Sequence, residues 1–220
     1  MRSKALVGHI PFPDVTGVIL AGGLSSRMGS NKALLPYRDG LLIEIIYRQL
    51  ASLFGEIIIA ANDPATYGFV GGRVVTDRYP GAGALAGLHA ALAGSRTPYI
   101  FAVACDMPSL NLALIREQVA LRHRADVVIP EGDKGVEPLH ATYSTACLPH
   151  IEAALKENHC RLVSFFPRVQ VLRLSPAWVA AFDPCFTCFR NVNTPAEYHT
   201  LRRTDRPEPP VTGLSVEAMP

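Results

Sequence analysis

Thirteen consecutive residues, Leu20-Ala-Gly-Gly-Leu-Ser-Ser-Arg-Met-Gly-Ser-Asn-Lys32, place three glycines and two cations directly after an apolar stretch. Glycine lets a backbone approach a ligand closely. The N–H groups of such a loop bind anions, and Arg27 and Lys32 add the fixed positive charge that a polyphosphate needs. The run is not a Walker A loop, because Gly29 is followed by Ser30 and Asn31 before Lys32 is reached. On residue types alone, the alternative is a glycine-rich strand-to-helix turn, expected to be exposed, with solvated cations.

Three further polar residues follow apolar runs: Asn62, Asp77 and Asp106. A carboxylate at 106 could hold Mg²⁺, which takes few protein oxygens and completes its shell with substrate phosphates. It could equally cap the helix expected after Pro108. Asn62 and Asp77 could each cap a turn. Gly81 to Gly87 comes within one residue of G-x-G-x-x-G, but it does not follow its strand directly, as a dinucleotide fingerprint must. His140, beside Glu137 at the start of a second-half segment, is a further candidate site residue. No G-x-S-x-G elbow occurs. Cys185-x-x-Cys188 lacks the second pair that a structural zinc site requires.

These residues need a scaffold. Apolar runs at 17–20, 56–60, 73–76, 99–104 and 127–129 read as strands, and 41–53, 84–93 and 112–124 as helices. Strands apolar on both sides that alternate with helices imply a mostly parallel sheet covered by helices on both faces, an α/β Rossmann-like fold. In such sheets ligands bind beyond the carboxyl ends of the strands, where the glycine run, Asn62, Asp77 and Asp106 would converge. In the second half, 138–143, 169–174 and 186–189 read as strands. Segments 146–156, 162–166 and 195–203 read as helices, the last with Thr194 as N-cap and Pro195 at its first position. The expected organisation is an N-terminal extension over 1–15, a single domain over 16–203 and a mobile tail over 204–220.

The composition narrows the class. The 220 residues are 49% hydrophobic and 18% charged with a net charge of +2, which excludes disorder and argues against a nucleic-acid binder. No apolar run is long enough for a membrane span and no signal peptide is expected. An odd cysteine count of five suggests reduced thiols and a cytoplasmic location.

The run from Leu20 to Lys32 resembles the L-A-G-G-x-S-x-R-M-G-x-x-K signature of the MobA-type nucleotidyltransferases, the molybdenum cofactor guanylyltransferases. Asp77 to Gly87 resembles the family's D-x-x-x-G-x-G-P-L-A-G segment, Cys105-Asp-Met-Pro108 its C-D-M-P turn, and Asn191-Val-Asn-Thr-Pro195 its N-x-N-T-P motif. The resemblance spans about residues 16 to 203. It implies that Leu20, Ala21, Gly22, Gly23, Asn62 and Asp77 bind the nucleotide, and that Arg27, Lys32 and Asp106 are catalytic. Lys32 would hold phosphates and Asp106 the Mg²⁺ ion. Asn191 and Asn193, with His140, would take the acceptor. Ala84 departs from the family's Pro, and Asn31 from the Asp that many members carry before the Lys.

The implied reaction moves GMP from GTP to molybdopterin and releases pyrophosphate. The implied partners are those two substrates, with molybdoenzymes or cofactor carrier proteins beyond them, and neither nucleic acid nor membrane. A molybdenum cofactor cytidylyltransferase, or transfer to another small phospho-acceptor, is the nearest alternative; Arg27-Met28-Gly29 leans to the guanylyl branch. An NAD-linked oxidoreductase and a catalytically silent partner of molybdoenzymes are the readings of a different class.

Overall fold

A computed structural model describes residues 11–22 and 31–204. Its centre is an eight-stranded sheet. The strands are β1 (Phe12–Leu20), β2 (Phe54–Ala60), β3 (Arg73–Val75), β4 (Tyr99–Ala104), β5 (Val127–Gly132), β6 (His140–Ser144) and β7 (Val171–Leu174). They lie in the order β7-β5-β6-β4-β1-β2-β3, and a two-residue strand, Gly135–Val136, pairs with β5. All neighbours along this order are parallel except β6, which runs antiparallel to both β4 and β5.

The sheet is covered on both faces, as the apolar runs predict. Alternate residues of one strand serve different cores. Val18 and Leu20 of β1 face one cluster, built on α3 (Gly83–Gly94) and α5 (Leu148–Lys156). Val15 and Ile19 face another, built on α1 (Leu42–Ala51) and α4 (Leu112–Ala120). Strand β1 takes in residues 12–15, which the sequence places ahead of the domain.

Several local expectations are corrected. Residues 186–189 are not a strand. They form a 3-10 turn over Thr187–Phe189, entered through Phe186 at φ 49, because the Asp183 carboxylate accepts from the Cys188 N–H at 2.8 Å and turns the chain. The helix expected over 162–166 is a series of turns leading to a 3-10 helix at Phe166–Arg168. The helix expected to reach Arg124 ends at Ala120, and a separate 3-10 turn covers Arg122–Arg124. Two short helices, α2 (Pro64–Tyr67) and α6 (Pro176–Ala180), carry too few residues to show a period. The last helix, α7, covers Pro195–Thr204.

Candidate active site

The register of the sheet assembles the site. Leu20 pairs with both Ala60 and Ala104, and Ala60 pairs with Val75, so four strand ends are level. Gly22, Asn62, Asp77 and Asp106 each lie two residues beyond one of those ends. Backbone bonds extend the alignment past the strands: Ala21 donates to Ala60 O at 2.9 Å, Cys105 to Leu20 O at 3.1 Å, and Ala61 to Val75 O at 3.0 Å. The carboxyl edge therefore presents these four residues in one row.

At one end of the row, Asn62 and Asp77 hold each other. Asn62 Nδ2 donates to Asp77 Oδ2 at 2.6 Å, and the Asp77 N–H donates to Asn62 Oδ1 at 3.1 Å. Both line a cleft together with Leu20, Gly22, Ala61 and Gly87. Gly81 and Gly83 take φ values of +82° and +64°, a left-handed backbone that favours glycine. A Cβ on Gly87 would lie 3.0 Å from Leu20 Cδ2. The glycine-rich segment thus turns the chain into α3 and presses that helix against the cleft floor. Ala84 sits in its first turn.

At the other end, Lys32 Nζ donates to Asn193 Oδ1 at 2.7 Å and lies 3.5 Å from Asp106 Oδ2. The Val192 N–H donates to Asp106 O at 2.9 Å, which brings the Asn191–Pro195 segment to the end of β4. Glu197 accepts from the Asn193 and Thr194 N–H groups at 2.7 and 2.9 Å, while its own N–H donates to Thr194 Oγ1 at 3.2 Å. This capping box fixes the start of α7 and, with it, Asn193. Glu197 is outside the motifs that mark the site, although the spacing Thr194-x-x-Glu197 carries the capping signal in the sequence. Asn191 is exposed at the start of the segment.

Lys32 does not sit on an open loop: it begins a 3-10 turn, and its side chain is 15% exposed. The capping alternative for Asp106 is also settled. The cap of α4 is Asn111, whose Oδ1 accepts from the Ala113 and Leu114 N–H groups at 3.1 and 3.0 Å. Burial raises the Asp106 pKa, against the pull of Lys32. Gly23 and Arg27 lie outside the described residues.

His140 belongs to the core instead. It is fully buried in β6, edge-on to Phe101 and Phe189 at centroid distances of 5.2 and 5.1 Å. Neither ring nitrogen has a hydrogen-bond partner among the described residues. Burial lowers its pKa to about 4. The neutral ring therefore folds and the protonated ring resists folding. Stability from this residue is complete above the unfolded pKa near 6.5 and is lost as the pH falls toward 4, by about 3 kcal/mol. His140→Leu should flatten the acid side of a melting-temperature profile between pH 4.5 and 7.5 and leave turnover unchanged. A raised acceptor KM would restore His140 to the site. Neighbouring Glu137 is partly exposed, and burial followed by the nearby Asp133 pushes its pKa to about 7.

All five cysteines are free. No group of three or more His, Cys, Asp or Glu side chains among the described residues could hold a metal, and no described helix is long and apolar enough to cross a membrane.

A family model for the MobA-like NTP transferase domain matches residues 17–169. A protein of Pelotomaculum thermopropionicum, named "Probable molybdenum cofactor guanylyltransferase", is 38% identical over 184 residues, covering 84% of this chain and 90% of that one. Among solved structures, molybdopterin-guanine dinucleotide biosynthesis protein A from Archaeoglobus fulgidus superposes with a TM-score of 0.75 at 22% identity, covering 86% of this chain and 97% of its own. A Mycobacterium tuberculosis protein crystallised in complex with manganese superposes with a TM-score of 0.60 at 20% identity, covering 87% and 99%.

Proposed function

Since the chain belongs to the MobA-like NTP transferase family, we propose that it transfers GMP from GTP to molybdopterin, releasing pyrophosphate and forming molybdopterin guanine dinucleotide. The observation that carries this is the row on the carboxyl edge. A cleft bounded by Asn62 and Asp77 at one end leads to the Lys32–Asp106–Asn193 cluster at the other. That layout suits a base and ribose in the cleft, with the triphosphate running along the edge toward Lys32.

The attacking group needs no base. A phosphate monoester has a second pKa near 6 and is largely ionised at neutral pH, so its oxygen can attack the α-phosphorus directly. This agrees with the described residues of the site, among which no nucleophile–base pair occurs. The chain's task is to align two anions and neutralise charge. Lys32, held by Asn193 and Asp106, points a fixed cation at the phosphates. Asn193 is itself held by Glu197, so the acceptor-side segment and the phosphate cation form one assembly.

The residues fit a divalent cation. Asp106 is a largely buried carboxylate with a raised pKa; Asn111, not Asp106, caps α4, and among the described residues Lys32 is its ion-pair partner. We assign it to hold Mg²⁺, an ion that takes few protein oxygens and that would supply charge neutralisation at the phosphates when bound. Arg27 and Gly23 are assigned to the same phosphates by their place in the glycine run, and Asn191 to the acceptor. The free thiols support a cytoplasmic setting.

GTP should bind more tightly than CTP, ATP or UTP in calorimetry with Mg²⁺ present. Equal affinity for GTP and CTP would remove the guanine assignment and leave the transferase class standing.

A further inference from the structure

We propose that Tyr67 is a positioning residue for the phosphate-binding run: its hydroxyl ties Ala21, where the run leaves β1, to Asn31, where it delivers Lys32. Asn31 Nδ2 donates to the Tyr67 hydroxyl at 2.8 Å, and that hydroxyl donates to the Ala21 carbonyl at 3.3 Å. One O–H group thus accepts from one end of the run and donates to the other.

The consequences reach Lys32 through Asn31. Asn31 Oδ1 accepts from the Ala33 N–H at 3.1 Å and caps the single 3-10 turn, Lys32–Leu34, on which Lys32 stands. With its Nδ2 held by Tyr67, the amide plane is set and its oxygen faces the turn. The ring itself is fixed: Tyr67 is 3% exposed and packs in the cluster that also contains Ala33, Ala61 and Ile59. Helix α2, which carries Tyr67, starts two residues after Asn62. Tyr67 therefore connects the cleft end of the row to its phosphate end. This chemistry is needed wherever an anion must meet a lysine held in one place, because a displacement of about 1 Å can cost two orders of magnitude in rate. That the anion is a GTP triphosphate rests on the reading above.

Tyr67→Phe keeps the packed ring and removes only the hydroxyl. In the free protein, the Ala33, Leu34 and Leu35 amides should exchange roughly tenfold faster while amides of β4 are unchanged. Turnover at saturating Mg-GTP should fall roughly tenfold, and the melting temperature by no more than about 4 °C. Asn31→Ala should lose at least as much turnover, and the double variant little more than Asn31→Ala alone, since both break one chain of bonds. Unchanged amide exchange, or a lower melting temperature with wild-type turnover, would overturn the proposal and leave Tyr67 a packing residue. Failure of the unmodified protein to bind Mg-GTP would refute the nucleotide assignment alone, because the exchange measurement decides the bridge without any ligand.

Discussion

Asp106→Asn is expected to lower Mg²⁺-dependent turnover by orders of magnitude while the protein stays folded and still binds nucleotide. The amide has nearly the shape of the carboxylate, so the packing at the end of β4 is kept. The backbone bond from Val192 N–H to Asp106 O is untouched. What disappears is the negative charge that faces Lys32 at 3.5 Å. If that charge holds a metal, the phosphates and the departing pyrophosphate lose the charge neutralisation that the ion would supply. Raised Mg²⁺ should recover part of the loss by mass action. Because Asn111 caps α4, no capping contribution complicates the comparison of melting temperatures. Turnover against Mg²⁺ concentration for both proteins checks this. Superimposable curves would place the metal elsewhere.

Lys32→Ala should cost a comparable amount for a different reason. Losing one preorganised cation aimed at developing phosphate charge removes about 2–4 kcal/mol of transition-state stabilisation, or roughly 30- to 1,000-fold in turnover. The structure adds a second effect. Lys32 is largely covered, and its removal leaves the buried Asp106 carboxylate and Asn193 Oδ1 without their cationic partner. Such a loss costs about 1–3 kcal/mol of stability. Turnover is therefore to be measured well below the melting transition and per folded molecule. Wild-type turnover under those conditions would contradict the role assigned to Lys32.

The two halves of the chain differ in how much of this was legible. Tyr99–Ala104 reads as a central strand because every residue is apolar and the run is bounded by Pro98 and Asp106. The chemistry at its end follows from Gly22, Asn62, Asp77 and Asp106 each coming just after an apolar run, and the register then proves them level. Phe186–Phe189 has strand composition but not strand structure, since a single side chain, Asp183, redirects its backbone. His140 stands out in the sequence because it lies beside Glu137 at the start of a second-half segment. Alternation along β6 decides which way a side chain faces, and it sends His140 inward between Phe101 and Phe189. Tyr67 sits in a four-residue helix with no period, and its partners are 36 and 46 residues away, so nothing local marks it. Asp106 shows the opposite case: two roles were open in the sequence, and the position of Asn111 excludes one.

Movement of a guanylyl group to a molybdopterin phosphate on this edge of the sheet can be tested by its product. The most direct measurement is to incubate the protein with molybdopterin and each of the four Mg-NTPs in turn and to weigh the product by mass spectrometry. The expected result is a GMP–molybdopterin adduct with pyrophosphate released from GTP, and little or no adduct from the other three nucleotides. An adduct formed preferentially from CTP would contradict the guanylyl assignment, and no adduct from any nucleotide would contradict the transferase reading itself.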